Sequence, residues 1–287
     1  MPAGDESLAG SSAGVAATPR AGGNLATRVA TAAVGIPLVI LVAYIGGVPY
    51  RALIALVAVV GTAEGYRMLR VKGQQPAVVL GVGLSALLAI APGFTQPSAW
   101  TRAIVLLGAA AIGVWFLLTS TTDTAFRDWA ATVLLAIYVG GLLGSLVSLR
   151  LFHDGFRLVM LVLVLTWAYD TGAYLTGRQW GRHPFMSRIS PSKTWEGVAG
   201  GLALSLVVSL AAARAVDLAV PVAAILGLAV AVAAQAGDLL ESSLKRYAGV
   251  KDSGVLIPGH GGLLDRVDSL LLSSTVALYV LILAGHH

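Results

Sequence analysis

A chain of 287 residues that is 57% hydrophobic and only 11% charged does not have the composition of a soluble domain; with a mean hydropathy of +0.83 it reads as an integral membrane protein. The absence of cysteine excludes disulfides, thiolate metal sites and cysteine nucleophiles. The net charge of +5 is scattered through short loops, which fits an inner-leaflet bias and argues against a nucleic-acid partner.

Residues 1–27 are rich in Ala, Gly and Ser without periodicity and read as a disordered tail. A cleaved signal peptide is not expected, because the first apolar run begins late and nearly spans a bilayer. Nine apolar segments follow, at 29–48, 52–69, 76–93, 103–120, 129–149, 156–177, 195–213, 217–237 and 263–284. Each approaches the ~20 residues that a helical span needs. Pro37 and Pro221 fall inside two of them, which lipid-embedded helices tolerate. The 34 glycines suit close helix packing in lipid. The expected fold is all-α and polytopic, with about five spans over 28–150 and a four-span bundle over 151–287.

Charge orients the bundle. With the N-terminus in the cytoplasm, thirteen of the 19 Lys and Arg fall inside and five outside, with Arg266 in a span. The positive-inside rule then gives N-in and C-out. Both long polar loops, 178–194 and 242–262, land together on the cytoplasmic side.

Several polar residues lie where a membrane helix would not keep them without use. Glu64, near the inner end of the second segment, is expected to pair with Arg67 or Arg70. Asp170 lies near the cytoplasmic end of the sixth segment, as a functional acid or as a partner of Tyr169, Tyr174 or Arg178. The run Ser190-Pro191-Ser192-Lys193-Thr194-Trp195-Glu196-Gly197 opens the seventh segment. It reads either as an anion site of hydroxyls, Lys193 and orphan helix N–H groups, or as plain capping by Ser192; Glu196 tips the balance toward function.

The densest stretch is Gly237–Ser269. Asp238 and Glu241 are three residues apart, as are Asp265 and Asp268, so each pair shares a face of its helix. Between the pairs lie Lys245, Arg246, Lys251 and His260 among five glycines. The structural alternative is a set of buried ion pairs with Arg266, Lys245 or Arg246 that lock two helices together; four carboxylates in two such pairs on consecutive segments exceed what Arg266 alone neutralises, which disfavours it. Hard oxygen ligands with no cysteine suit Mg²⁺, which shares its ligands with substrate phosphates. These residues alone indicate a metal- and nucleotide-dependent membrane transferase with the nucleotide open. A secondary transporter is the competing class, and would carry its acids at the midplane.

In order, Ser242-Ser243-Leu244-Lys245-Arg246, Lys251-Asp252-Ser253-Gly254, Pro258-Gly259-His260-Gly261-Gly262 and Asp265-Arg266-Val267-Asp268 resemble the signature of the phosphatidate cytidylyltransferases, the CDP-diacylglycerol synthases. Gly237–Ser242, Ser190–Gly197 and Asp170–Tyr174 resemble the family too. The likeness covers about the last 120 residues with specific motifs; the first 150 share hydropathy and the position of Glu64.

The resemblance implies synthesis of CDP-diacylglycerol and pyrophosphate from CTP and phosphatidic acid, by a multi-pass homodimer of the inner membrane whose site faces the cytoplasm. It implies Mg²⁺, with room for a second cation. Asp238 and Asp265 match the acidic pair of the metal centre, with Glu241 and Asp268 beside them. Lys245, Arg246, Lys251, Asp252, His260, Gly261 and Arg266 would surround the nucleotide and its phosphates. Ser190, Ser192 and Lys193 match a second phosphate-binding motif, and Asp170 adjoins the substrates. Lys193 and Lys245 are expected to act on the developing charge. A CTP-using polyprenol kinase is the nearest rival; it would release CDP in place of pyrophosphate.

Overall fold

The computed structural model describes residues 25–93, 97–120, 122–256 and 261–286. The tail expected over 1–27 lies outside them as far as residue 24, and so does His260. Backbone groups in lipid find no water to bond, so an apolar chain must satisfy them internally. Among the described residues every named element is helical, and one isolated bridge pairs Pro184 with Thr194.

The helices are α1 (Leu25–Ile45), α2 (Gly47–Val71), α3 (Val78–Ile90), α4 (Pro97–Thr119), α5 (Thr122–Ala136), α6 (Leu142–Arg150), α7 (Gly155–Trp180), α8 (Trp195–Ala212), α9 (Val220–Ala248) and α10 (Leu264–Leu283). A π-helical turn, Ile137–Gly141, joins α5 to α6, so Thr124–Arg150 runs as one apolar rod. All nine predicted segments fall on helix. Among the described residues seven rods are long and apolar enough to cross a membrane; Val29–Ile45 and Val78–Ile90 are shorter.

One boundary differs from expectation. The loop expected over 242–262 begins only at Gly249, because α9 continues to Ala248. Leu239, Leu240, Glu241, Leu244, Lys245 and Arg246 are good helix formers, and no breaker interrupts them. Gly249 then adopts φ 73°, and Val250 N–H bonds Lys245 O at 3.0 Å, a glycine C-cap. The extra turns carry Glu241 and Lys245 on rigid helix.

Helices α7 to α10 pack as one unit, with α2 and α6 against α10. Leu165, Leu226, Leu264, Leu271 and Leu281 are fully buried at its centre. Helices α3 to α5 enclose a smaller core around Leu84, Leu88, Ile112 and Phe116. Small polar side chains tie the helices, as in lipid where apolar burial alone does not drive association. Ser205 Oγ donates to Gly227 O at 2.8 Å, Ser209 Oγ to Ala223 O at 2.6 Å, and Thr166 and Ser273 hydroxyls meet at 2.9 Å. The outer faces expose Leu106, Leu107, Leu117, Leu118 and Val232, the surface that hydrocarbon would cover.

Two contacts mark opposite ends of the bundle. Arg150 Nε donates to Ala43 O at 2.8 Å at one end, and Arg127 Nη2 to Gly73 O at 3.3 Å at the other.

Candidate active site

The acids converge where α9 passes α10. A Cβ at Gly237 would strike the Asp268 carbonyl oxygen, so glycine there lets the two backbones approach. That approach puts Asp238 and Glu241 of α9 opposite Asp265 and Asp268 in the first two turns of α10.

Lys245 sits between the two pairs. Its Nζ lies 2.6 Å from Glu241 Oε2 and 2.7 Å from Asp265 Oδ1. The Lys193 ammonium, from the loop before α8, reaches Asp238 Oδ2 at 2.5 Å, while Ser242 Oγ donates to Asp238 Oδ1 at 3.2 Å. Glu241 is buried, and its Oε1 meets no donor. Asp268 adjoins Glu241 and lies within electrostatic reach of Asp238. Asp170 on α7 completes the ring, within reach of Asp268, Asp238 and Lys193. None of its expected partners takes it: Tyr169 donates to Gln235 Oε1, and Arg178 donates to Tyr174 Oη at 2.8 Å.

The other face of Asp265 is fixed by the following loop. Its Oδ2 accepts Ser253 N–H, Ser253 Oγ–H and Gly262 N–H, each at 2.9 Å. Glu64 does not pair with Arg67 or Arg70. Its buried carboxylate accepts Leu263 N–H at 3.1 Å and Leu264 N–H at 2.8 Å, so α2 caps the start of α10. Arg67 and Arg70 face solvent, where a pair is worth little, whereas the buried or part-buried N–H groups at the start of α10 have no intrahelical acceptor and need one. A signal was present: Glu64 is the only acid between residues 25 and 122.

Loop 181–194 is closed by its own polar groups. Thr194, and not Ser192, is the N-cap of α8: it directly precedes the helix with an extended backbone and accepts Gly197 N–H at 3.2 Å, while Ser192 is exposed. Glu196 accepts Arg182 N–H at 3.2 Å, His183 N–H at 3.3 Å and meets His183 Nδ1 at 2.5 Å. Arg246 Nε donates to Ile189 O at 3.2 Å, pinning this loop to the end of α9. Ser190 takes part through its carbonyl, which accepts Lys193 N–H at 3.3 Å. Lys251, Asp252 and Arg266 are exposed around the acids, and Gly261 turns at φ 84° beside Asp265.

A cavity of about 540 Å³ opens from the acids into the bundle. Asp170, Asp265, Arg266 and Asp268 line one end, and Ala43, Tyr50, Leu146 and Val159 the other. Along α7 the lining runs from Asp170 to Val159, about 16 Å by helix rise, close to half of a ~30 Å hydrocarbon core.

Among the described residues no three Asp, Glu or His side chains close a cage around one point. The donor set still fits a cation that completes its shell with substrate oxygens: one or two carboxylates suffice for Mg²⁺, and the partnerless Glu241 Oε1 is a hard ligand atom already inside. The arrangement is an acid–lysine cluster at one end of an apolar cavity. It lies in the first turns of α10, not at the midplane position of a transporter site.

Comparison with known proteins agrees. The profile of the Cytidylyltransferase family matches residues 26–284. A phosphatidate cytidylyltransferase of Synechocystis sp. is 35% identical over 286 residues, covering 89% of this chain and 96% of that one. One of Staphylococcus aureus is 37% identical over 201 residues, 68% of this chain and 75% of the relative. Another, of Staphylococcus epidermidis, is 37% identical over 177 residues, 60% and 67% respectively. Acids, lysines and glycines of the Gly237–Ser269 stretch meet in one site inside the matched region, and the chain belongs to the cytidylyltransferase family.

Proposed function

We propose that this chain is a CTP:phosphatidate cytidylyltransferase, making CDP-diacylglycerol and pyrophosphate for phospholipid synthesis. The observation that carries the reading is the placement of Lys193, Asp238, Glu241, Lys245, Asp265 and Asp268 at the polar end of an apolar cavity one leaflet deep. A nucleotide triphosphate is polar and a phosphatidate is anchored by its chains, so a site serving both needs those two ends.

A phosphate oxygen of phosphatidate attacks the α-phosphorus of CTP. The bond from that phosphorus to the bridging oxygen breaks, and pyrophosphate leaves in line. Both reactants are anions, so the barrier is dominated by charge and position. Lys193 and Lys245 already stand between carboxylates, and their charge is in place when phosphates arrive. Arg266, exposed at the cavity mouth, suits the lipid phosphate. Arg246, Lys251, Asp252 and Gly261, with Ser190 and Ser192 from the other loop, surround the CTP side. Phosphate monoesters are largely ionised near neutral pH, so no general base is needed. Asp238 and Asp265, with Glu241 and Asp268, would hold one or two cations. Mg²⁺ bound there supplies positive charge across the triphosphate and the departing pyrophosphate.

The protein sits in the inner membrane as nine spans, N-in and C-out, with the site on the cytoplasmic face and the chain working as a homodimer. The Lys and Arg asymmetry supports the orientation, and the family resemblance supports the dimer. The decisive experiment is turnover by purified protein in mixed micelles with CTP, phosphatidic acid and Mg²⁺. Equal yields of pyrophosphate and cytidine-bearing lipid, both abolished by EDTA, support the reading. CDP without pyrophosphate would make the protein a kinase, and untouched CTP with folded protein would reopen transport.

A further inference from the structure

Glu64 lies on α2, in the half of the chain without a specific motif, yet its side chain is 4% exposed and surrounded by groups from the far end of the sequence. Oε1 accepts Leu263 N–H at 3.1 Å, and Oε2 accepts Leu264 N–H at 2.8 Å. Ser253 Oγ lies 3.1 Å from Glu64 Oε2 and 2.9 Å from Asp265 Oδ2. A serine has one hydroxyl proton, so two carboxylates 201 positions apart in sequence compete for the same donor. Among the described residues no Lys or Arg pairs with Glu64.

Two glycines are explained by this contact. A Cβ on Gly254 would come 2.5 Å from Glu64 Oε1, and one on Gly262 would come 2.7 Å from Oε2. At Gly254 the α2 carboxylate occupies the space a side chain would fill, and at Gly262 that space is taken first by the Ser253 hydroxyl and then by Glu64 and the Gly254 backbone. Ser253, Gly254 and the start of α10 are folded around Glu64, and Asp265 inherits its orientation from them. Its Oδ2 is held by Ser253 and Gly262, which turns Oδ1 toward Lys245 at 2.7 Å.

We propose that Glu64 is a positioning residue for catalysis: a carboxylate from the N-terminal bundle that clamps Ser253 and Gly254 to Gly262, Leu263 and Leu264 and thereby aims Asp265 into the site. The role of Asp265 rests on the function proposed above, while the clamp itself rests only on the contacts of Glu64. This gives the N-terminal bundle a part in turnover beyond bracing the site. An amide at this position replaces one acceptor oxygen by a donor, which would face Leu264 N–H or Leu263 N–H and release the loop.

The test compares wild type, Glu64→Gln and a control, Thr62→Val, which breaks a different α2 contact, the 2.7 Å hydroxyl pair of Thr62 with Ser85. Turnover kinetics are read beside hydrogen exchange of peptides over 249–264 and over α8. Loss of a group that orients a ligand residue lowers activity about 10–100-fold. The expected result for Glu64→Gln is a fall in kcat of that size, KM for CTP within about threefold, and exchange at least about tenfold faster over 249–264 with α8 unchanged, scales that follow from loss of local and not global structure. Thr62→Val should reproduce neither effect. Unchanged exchange over 249–264 overturns the clamp, whatever the activity. Faster exchange with normal kcat overturns the positioning role, and faster exchange everywhere, or in both variants, makes Glu64 a general scaffold residue. A wild type that makes no cytidine-bearing lipid refutes the assigned reaction and with it the catalytic role, while exchange still decides the clamp.

Discussion

At the scale of single residues, Lys245 and Asp265 bear the most. The Lys245 side chain is 14% exposed and bridges Glu241, at 0%, to Asp265, at 6%. Removing one member of such a set leaves an uncompensated buried charge, which costs about 3–5 kcal/mol. Lys245→Ala is therefore expected to lower thermal stability in detergent and to abolish turnover, as melting and product formation would show. Asp265→Asn should cost less stability, since an amide oxygen can still accept from Ser253 and Gly262. Its turnover should nevertheless fall by about a hundredfold or more, the scale of losing one preorganised electrostatic contact. Near-normal activity in Asp265→Asn would remove this residue from the reacting centre. Asp238→Asn should behave alike, while Lys193→Ala should chiefly weaken the response to CTP concentration. Full activity with an unchanged response would leave Ser190–Gly197 as a helix entrance only.

Among the elements, the crossing of α9 and α10 decides whether there is a site at all. Gly237 touches the Asp268 carbonyl and Ser269 backbone, so any side chain there must part the helices or bend them. Overpacking of this kind costs about 1–3 kcal/mol. Gly237→Leu should therefore lower the melting temperature modestly but abolish turnover, because the carboxylates separate with the backbones. Retained activity would mean that the four acids need not meet. The spacing of Asp238 to Glu241 and of Asp265 to Asp268 was legible because helical periodicity is a local property. That Lys245 stands between the pairs was not, since it depends on the crossing. The cap of α8 was not legible for a local reason: Ser192 and Thr194 are both good cap residues, and the choice follows from where the helix starts, at Trp195, with Thr194 extended before it at φ −130° and ψ 155°.

For the whole molecule, the sequence offers an unusually clean topology test, because the chain has no cysteine. His153→Cys lies in the short connection between α6 and α7, and Ser187→Cys in the loop before α8. In intact cells a membrane-impermeant maleimide should label Cys at 153 and spare 187, and inverted vesicles should show the reverse. Labelling of both positions from one side would overturn the alternation of spans on which the cytoplasmic placement of the site depends. The shorter helices, Val29–Ile45 and α3, are the elements on which the full count of nine turns.

Composition and periodicity determined that this is a helical membrane protein, because hydropathy and the 3.6-residue repeat are written residue by residue. The ordered motifs from Ser190 to Asp268 determined the family, and with it the substrates to test. The Glu241–Lys245 pair follows helical i,i+4 spacing, but only the tertiary structure brought Lys193 to Asp238 and Lys245 to Asp265, across helix boundaries by distances no spacing rule contains. The sequence marked Glu64 as a lone acid, but only the tertiary structure showed what it touches, because a contact between residues two hundred positions apart leaves no periodic trace. It alone opened the cavity from Asp170 to Val159, a space bounded by α1, α2, α6, α7 and α10 and present in none of them separately.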